Sequence, residues 1–171
     1  MAIKGLTQTS SVVSIGFGAT ELGPNTFNQG SVDLNLSPLD REVFVVLAVN
    51  LDPNSPDSVA GVTTQVRSSL TTTSQTSVQA ISEANCLASA INTIRMNAAS
   101  IEGAPFQTLG LETPPATLEF IGIIATNDFF VQIEGSQNLN PKAVTGKLYG
   151  YRARADASIF AALVQSEVLS A

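Results

Sequence analysis

Alternation of apolar and polar residues with a period of two is the feature that most constrains this chain. Between Val62 and Thr72, one face of an extended backbone would carry valine, leucine, serine and threonine, and the other face would be polar. β-Branched residues at this density favour strand over helix. A second segment, Val43–Val49, is a continuous apolar run typical of a central strand buried on both faces. The chain is therefore predicted to be mainly β.

Further segments show strand patterns of the same kind. Val13, Ile15 and Phe17 alternate with small residues within residues 10–19. The remaining predicted strands are residues 31–37, the arms 118–125 and 129–134 of a hairpin around Thr126–Asp128, and residues 143–153. Clusters of Gly, Pro, Asn and Asp separate these segments, as expected for turns. The short spacing of the strands predicts an antiparallel β-sandwich or a jelly-roll-like domain.

One segment changes period. Between Ser77 and Arg95, apolar residues recur at spacings of three and four, beginning with Val78, Ile81 and Ala84. This spacing predicts one central α-helix over about 77–95, with Ser77 as its N-cap. The final segment, residues 156–169, fits either a short C-terminal helix or a strand added to the sheet of a neighbouring subunit.

The length of 171 residues indicates one domain, residues 1–171. Only 13% of the residues are charged and the mean hydropathy is positive, which is unusual for an isolated soluble monomer. We therefore expect much of the surface to contact other protein, and we expect a homo-oligomer. The terminal segments 1–9 and 157–171 are predicted to act as arms that contact neighbouring chains.

The charge balance argues against nucleic acid and anionic membranes as partners. The net charge is −6, and the eight Lys and Arg residues are scattered along the chain instead of forming the cluster that phosphates require. No signal peptide and no apolar run of membrane-spanning length is visible, so we expect synthesis and folding in a cytoplasm. The lone Cys86 cannot form an internal disulfide and is interpreted as a small buried hydrophobe.

The side-chain inventory does not favour catalysis. Without histidine, the serines lack the usual activating base, and no spacing of ligands for a metal or cofactor is present. Asp52, Asn54 and Asp57 are interrupted by prolines and are interpreted as loop solvation. Glu119 and Glu134 would lie diagonally on the predicted hairpin, where a pair for glycoside hydrolysis is conceivable, but a solvated sheet face is the simpler interpretation. We expect no enzyme activity and no cofactor.

Four residues near the end of the last predicted strand are candidates for an interface. Tyr149 and Tyr151 would share one face of the strand, and Arg152 and Arg154 the other. Tyrosine and arginine are enriched at the energetic centres of interfaces. The alternative for the tyrosines is that they complete the core with their hydroxyl groups at its rim.

The segments Ile124–Phe130 and Gly150–Ala153, followed by the tail Ala157–Ser166, are similar in texture to small structural proteins of tailed phages. This resemblance covers about the last third of the chain and implies a β-sandwich on or in a capsid. It further implies a trimer at a symmetry axis, which would stabilise the shell through many repeated contacts with itself and with other capsid proteins.

Three kinds of function follow as hypotheses. The first is a virion structural protein: a capsid decoration (cement) protein, or alternatively a major coat subunit, with no deep polar pocket. The second is a fibre or receptor- or carbohydrate-binding module, with the polar loops 21–30 and 52–58 gathered at one end. The third is a hydrolase that uses Glu119 and Glu134 in a cleft.

Overall fold

The structure is a computed structural model that describes residues 3–97, 99, 102–110 and 118–170. Within these residues the chain forms ten strands and one helix. They are β1 (Leu6–Gln8), β2 (Val13–Thr20), β3 (Asn28–Asp33), β4 (Glu42–Pro53), β5 (Thr64–Thr71), β6 (Cys86–Met96), β7 (Gly103–Leu109), β8 (Gly122–Ile124), β9 (Asp128–Ser136), β10 (Ala143–Ala155) and α1 (Ala157–Leu169). The prediction of a mainly β chain is confirmed.

The strands form two antiparallel sheets of five strands each. In the first sheet β10 is central, with β4 on one side and β8 beyond β4. On the other side of β10, β2 pairs with residues 143–150 and β1 with residues 153–155. The second sheet has the order β3-β9-β5-β6-β7.

The strand pairing is nested along the chain. β2 pairs with β10, β3 with β9, β4 with β8 and β5 with β6. The chain is therefore a long hairpin that doubles back on itself and is rolled into two facing sheets. This arrangement is a jelly roll, with β7 added beyond β6. The antiparallel sandwich predicted from the sequence is confirmed.

The main core lies between the inner faces of the two sheets. Its fully buried side chains include Phe44 and Leu148 from the first sheet and Leu70 and Phe129 from the second. The rings of Phe17 and Phe129 meet edge to face, with centroids 5.6 Å apart. This favourable geometry joins β2 of one sheet to β9 of the other.

A second apolar cluster covers the outer face of the first sheet. It includes Ile159, Phe160 and Leu163 of α1 together with Val43 and Val45 of β4. Phe44 and Val46, which alternate with those valines, enter the main core instead. β4 is therefore buried on both faces, as its continuous apolar run predicts.

Both terminal segments fold against their own domain. β1 pairs with β10, and the N–H of Asp156 donates to the carbonyl of Gly5 at 3.0 Å. At the other terminus, the choice between helix and strand is settled as helix, because α1 packs on the first sheet. The residues described between 3 and 9 and between 157 and 170 are thus not extended arms. Contact of these segments with neighbouring chains stays a prediction.

The helix predicted over 77–95 does not form, and that prediction is wrong. Residues 86–96 are strand β6, and residues 72–85 run without regular structure. Ala88 and Ala90 of β6 lie in the main core, and Ile91 and Ile94 are β-branched. Pairing of β6 with β5 and β7 therefore outweighs the local helical preference of its alanines.

A buried layer of uncharged polar side chains holds the irregular segment on the outer face of the second sheet. Gln132 of β9 is fully buried, and its Nε2 donates to Thr71 Oγ1 at 2.7 Å and to Gln29 Oε1 at 3.0 Å. Its Oε1 accepts from Ser69 Oγ at 2.7 Å, and that hydroxyl accepts from the N–H of Gln79 at 3.0 Å. Buried Ser, Thr and Gln side chains therefore form an ordered, hydrogen-bonded layer.

The hairpin predicted around Thr126–Asp128 does not form either. β8 pairs with β4 in the first sheet, whereas β9 pairs with β3 and β5 in the second. The connection passes between the sheets because Ile124 and Phe129, on either side of the turn, are both buried in the main core. A turn sequence alone does not distinguish a hairpin from a connection between sheets.

Candidate interaction surfaces

The tyrosines of β10 have different surroundings. Tyr151 packs into the cluster beneath α1, where burial, with a smaller contribution from Glu119, raises its pKa. This placement matches the alternative that a tyrosine completes a core. Tyr149 is half-buried and lies opposite Ala48 of β4 and Ser14 of β2 in the sheet register. An interface role for either tyrosine stays a prediction.

Arg152 connects β10 to the loop of residues 34–41. Its Nη2 donates to the carbonyl of Leu34 at 2.7 Å, and its Nη1 donates to the carbonyl of Asn35 at 3.1 Å. The carboxylate of Glu42 lies 3.6 Å from the same guanidinium. The sequence does not indicate these contacts, and they give Arg152 a structural role within its own domain.

Arg154 is held much less firmly. Its guanidinium lies 3.7 Å from the carboxylate of Asp40, and both side chains are more than half exposed. An exposed pair of this kind contributes little to stability. Among the four candidates of β10, Arg154 is therefore the one best placed to bind a partner.

A polar network organises one end of the sandwich. It connects three loops, which we call the tip loops: residues 21–27, 54–63 and 137–142. Lys142, nearly fully buried, places Nζ 2.6 Å from Oδ1 of Asp57. Oδ2 of Asp57 accepts the backbone N–H groups of Leu139 and Asn140, each at 2.9 Å. The bond from Lys142 lowers the pKa of Asp57 to about 2 although desolvation opposes it, and the two backbone bonds add to the effect. Asp57 is thus an anchor and not merely a solvating group.

Two further side chains complete this network. The buried carboxylate of Glu21 accepts the backbone N–H groups of Gly135 at 2.6 Å and Lys142 at 2.7 Å. Asn25 and Asn138 exchange hydrogen bonds at 2.9 and 2.7 Å. Sequence reasoning missed these residues because their partners lie more than a hundred positions away along the chain.

The tip loops present two exposed leucines. Leu22 is 88% exposed and Leu139 is 68% exposed. A single exposed leucine carries little information. These two, however, lie on loops whose backbones are fixed by the network of Asp57, Glu21 and Asn138. The tip loops therefore offer apolar contact area at a low cost in conformational entropy.

The outward side of α1 carries no charge and combines apolar residues with the polar Ser158, Gln165 and Ser166. Val168 and Leu169 are 61% and 76% exposed, and Ala161 and Ala162 are exposed beside them. The only charged residue of the helix, Glu167, is buried and accepts the N–H groups of Ala125 and Thr126, each at 2.8 Å. A surface helix normally has a charged outer face. No helix in the described part of the chain is long and apolar enough to cross a membrane.

The carboxylate pair considered for hydrolysis is not assembled as predicted. Glu119 precedes β8 of the first sheet, whereas Glu134 lies on β9 of the second and forms an ion pair with Arg67. The two acids therefore do not share the face of a hairpin. Over the residues the structure describes, no group of three or more Cys, Asp or Glu side chains could hold a metal ion.

Cys86 is buried, as the sequence predicts. Its Sγ donates to the carbonyl of Ala88 at 3.3 Å. Desolvation by burial raises the pKa of this thiol to about 11. The side chain therefore stays a protonated thiol at neutral pH and is a weak nucleophile.

One shallow depression of about 360 Å³ lies between the tip loop 54–63 and strands β6 and β7. Asn92 and Phe106 contribute to its lining. The amide of Asn92 already donates to the carbonyl of Pro53 at 2.9 Å. Phe106 is more than half exposed and supplies an aromatic surface on β7.

Comparison with known proteins adds little to these observations. No protein-family model and no curated protein matches the sequence. A solved structure described as Desmodium yellow mottle tymovirus is similar with a TM-score of 0.30 and 11% identity, over 92% of this chain and 97% of that chain. Similarity at this level establishes neither a shared fold nor a shared role.

Proposed function

We propose that the protein is a structural component of a virion, specifically a capsid decoration protein that binds an assembled shell. The observation that carries the proposal is the display of Leu22 and Leu139 on tip loops fixed by a buried polar network. Burying a leucine completely contributes about 1.5–3 kcal/mol. Two such residues per copy make a weak contact that becomes strong when symmetry repeats it over a shell.

The outer side of α1 supports the same proposal. Its exposed residues are uncharged and include Val168 and Leu169, so it could contact protein without desolvating charge. The jelly roll itself is neutral between hypotheses, because viral capsid domains and lectins both use it. The choice between a capsid protein and a glycan-binding module therefore depends on which groups the domain exposes on its surface.

Three finer parts of the proposal depend on the sequence resemblance. They are the tailed-phage origin, the trimeric state, and the presence of other capsid proteins as partners. A major coat subunit would need the same kinds of surface. It differs in that the shell could not form without it, whereas a decoration protein binds a shell that already exists.

A fibre or carbohydrate-binding module is the second candidate. One observation favours it: polar loops do gather at one end of the sandwich, as that hypothesis predicts. However, Asn25, Asp57 and Asn138 direct their side chains to other loop residues, so these groups are already occupied. A glycan would have to bind elsewhere, for example beside Phe106.

Binding to particles tests the proposal. The purified chain is mixed with virus particles from its source that have been stripped of loosely bound proteins, and binding is measured by sedimentation. We expect Leu22→Asp combined with Leu139→Asp to reduce binding at least tenfold. Leu39→Asp is the matched control, because Leu39 is 97% exposed on the loop at the opposite end. Equal binding by all three proteins, or binding to a glycan array and not to particles, would contradict the proposal.

A further inference from the structure

Strand β2 forms an outer edge of the first sheet. It pairs with β10 along one side only. The N–H of Glu21 donates to the carbonyl of Lys142 at 2.9 Å, and this residue pair continues the register in which Ala19 lies opposite Val144. In an antiparallel ladder, alternate residues bond to the neighbouring strand. The odd-numbered residues of β2 therefore bond to β10, and the even-numbered ones direct their N–H and C=O groups outward.

Only part of this outer edge is open. The carbonyl of Thr20 accepts a bond from Asn28 Nδ2, and the carbonyl of Gly18 lies close to Gly30 of β3. Within the described residues, the outward backbone groups of Ser14 and Gly16 have no hydrogen-bond partner. A side chain at Gly16 would also meet open space, since no atom lies within 4 Å of the position its Cβ would take.

β2 lacks the features that normally protect an edge strand. Such strands are usually very short, carry a charge or a proline, or are covered. The edges at β1 and β8 are three residues long, β7 contains Pro105, and β3 ends in Asp33. β2 is eight residues long and has neither charge nor proline. Unpaired backbone groups on such a strand are a template for another strand.

We propose that the open edge of β2 pairs with β2 of a second copy of this chain, in antiparallel orientation about a twofold axis. Charge argues for a second copy. The chain has a net charge of −6, so two copies repel each other where charged surfaces meet. Residues 5–20 contain no charged residue, and Val12 and Val13 within them are exposed. Two copies can therefore approach along this edge without repulsion between like charges.

The alternation of bonding groups also defines the register. With the twofold axis at Ile15, Ser14 lies opposite Gly16 of the second copy, and Gly16 lies opposite Ser14 of the second copy. Both pairs carry outward-facing groups, so each can exchange two N–H···O bonds. The first sheets of the two copies then form one continuous sheet. This twofold contact is separate from the threefold contact of the proposed trimer, and it requires no shell.

The test uses a proline that removes one outward N–H. Gly16→Pro loses a donor that makes no bond to β10, and proline is tolerated on an edge strand, so the fold should persist. Gly16→Ala is the matched control because it keeps the N–H and its methyl group fits. By light scattering at high micromolar concentration, we expect the wild type and Gly16→Ala to have twice the mass of Gly16→Pro. A twofold mass ratio is the result for pairing monomers; trimers, which carry three such edges each, would give a ratio of two or more.

Hydrogen exchange in the wild type provides a measurement that does not depend on the folding of a variant. The amides of Ser14 and Gly16 should exchange at least tenfold more slowly at high than at low protein concentration. Equal masses for wild type and a folded Gly16→Pro, or exchange at these amides that is independent of concentration, would overturn the pairing. Because the Leu22 and Leu139 variants leave β2 unchanged, loss of pairing and loss of shell binding are separate outcomes.

Discussion

Lys142 places its ammonium nitrogen 2.6 Å from Oδ1 of Asp57, and this ion pair fixes two of the loops that carry the proposed contact surface. Asp57 lies on the loop 54–63, and Lys142 lies at the end of the loop 137–142. A nearly buried lysine needs a partner, because an unpaired buried charge is costly. The pair therefore explains why loops without regular structure have a defined conformation.

Stability at acid pH should depend on Asp57. Its pKa in the folded state is about 2, below the ordinary value of 3.8, so its contribution is complete above about pH 4 and is lost as the pH falls towards 2. Asp57→Asn should lower the free energy of unfolding by about 2 kcal/mol at pH 7. Urea unfolding at several pH values should show the difference between the two proteins shrinking below pH 4. A difference that is constant with pH would contradict this role.

The attachment of α1 should depend on the carboxylate of Glu167. Glu167→Gln replaces one of the two carboxylate oxygens with an amide NH₂, which would face a backbone N–H. The free energy of unfolding should fall by about 2 kcal/mol. Hydrogen exchange at Ala125 and Thr126 should accelerate in this variant. Gln165→Ala changes an exposed residue of the same helix and should leave both measurements unaltered.

Alanine variants of Arg152 and Arg154 should distinguish a structural role from an interface role. Arg152→Ala removes the donors to Leu34 and Asn35 and should lower the free energy of unfolding by about 2 kcal/mol. Arg154→Ala removes an exposed ion pair and should change the free energy of unfolding by less than about 1 kcal/mol. If Arg154 binds another copy of the chain, its variant should weaken self-association while thermal unfolding is unchanged. The opposite ranking of stabilities would show that the assignment is wrong.

Cys86 should be inert towards thiol reagents in the folded protein. Burial raises its pKa from 9.0 to about 11, so the reactive thiolate is scarce at pH 8. Labelling by a disulfide reagent at pH 8 should be slow in buffer and fast in urea. Because the folded pKa is raised, the stability contribution of Cys86 is constant below about pH 9 and declines as the pH rises towards 11. Cys86→Ala should lack that part of the decline.

The sequence predicts strands well where packing and pattern agree. Val43–Val49 is buried on both faces because α1 covers the first sheet, and the alternation at 62–72 corresponds to β5. Prediction from sequence fails at 77–95, because a spacing that suits a helix can also place Ala88 and Ala90 on the inner face of a strand. Only the pairing of this segment with β5 and β7 on either side of it decides between the two.

The candidate surfaces were harder to predict than the fold. Arginine at 152 is a reasonable interface residue by type, but its carbonyl partners lie on a loop about 117 positions away. Separations of similar length hide the roles of Glu21 and Asn138. Leu22 and Leu139 acquire significance only once the loops beneath them are known to be fixed.

A cryo-electron reconstruction of the native particle would show whether this protein contributes to the shell. We expect density for the two-sheet domain at many symmetry-related positions on the shell, with the tip loops directed towards the neighbouring protein. Particles that lack the chain, or that carry it with the tip loops facing solvent, would contradict a role in the shell.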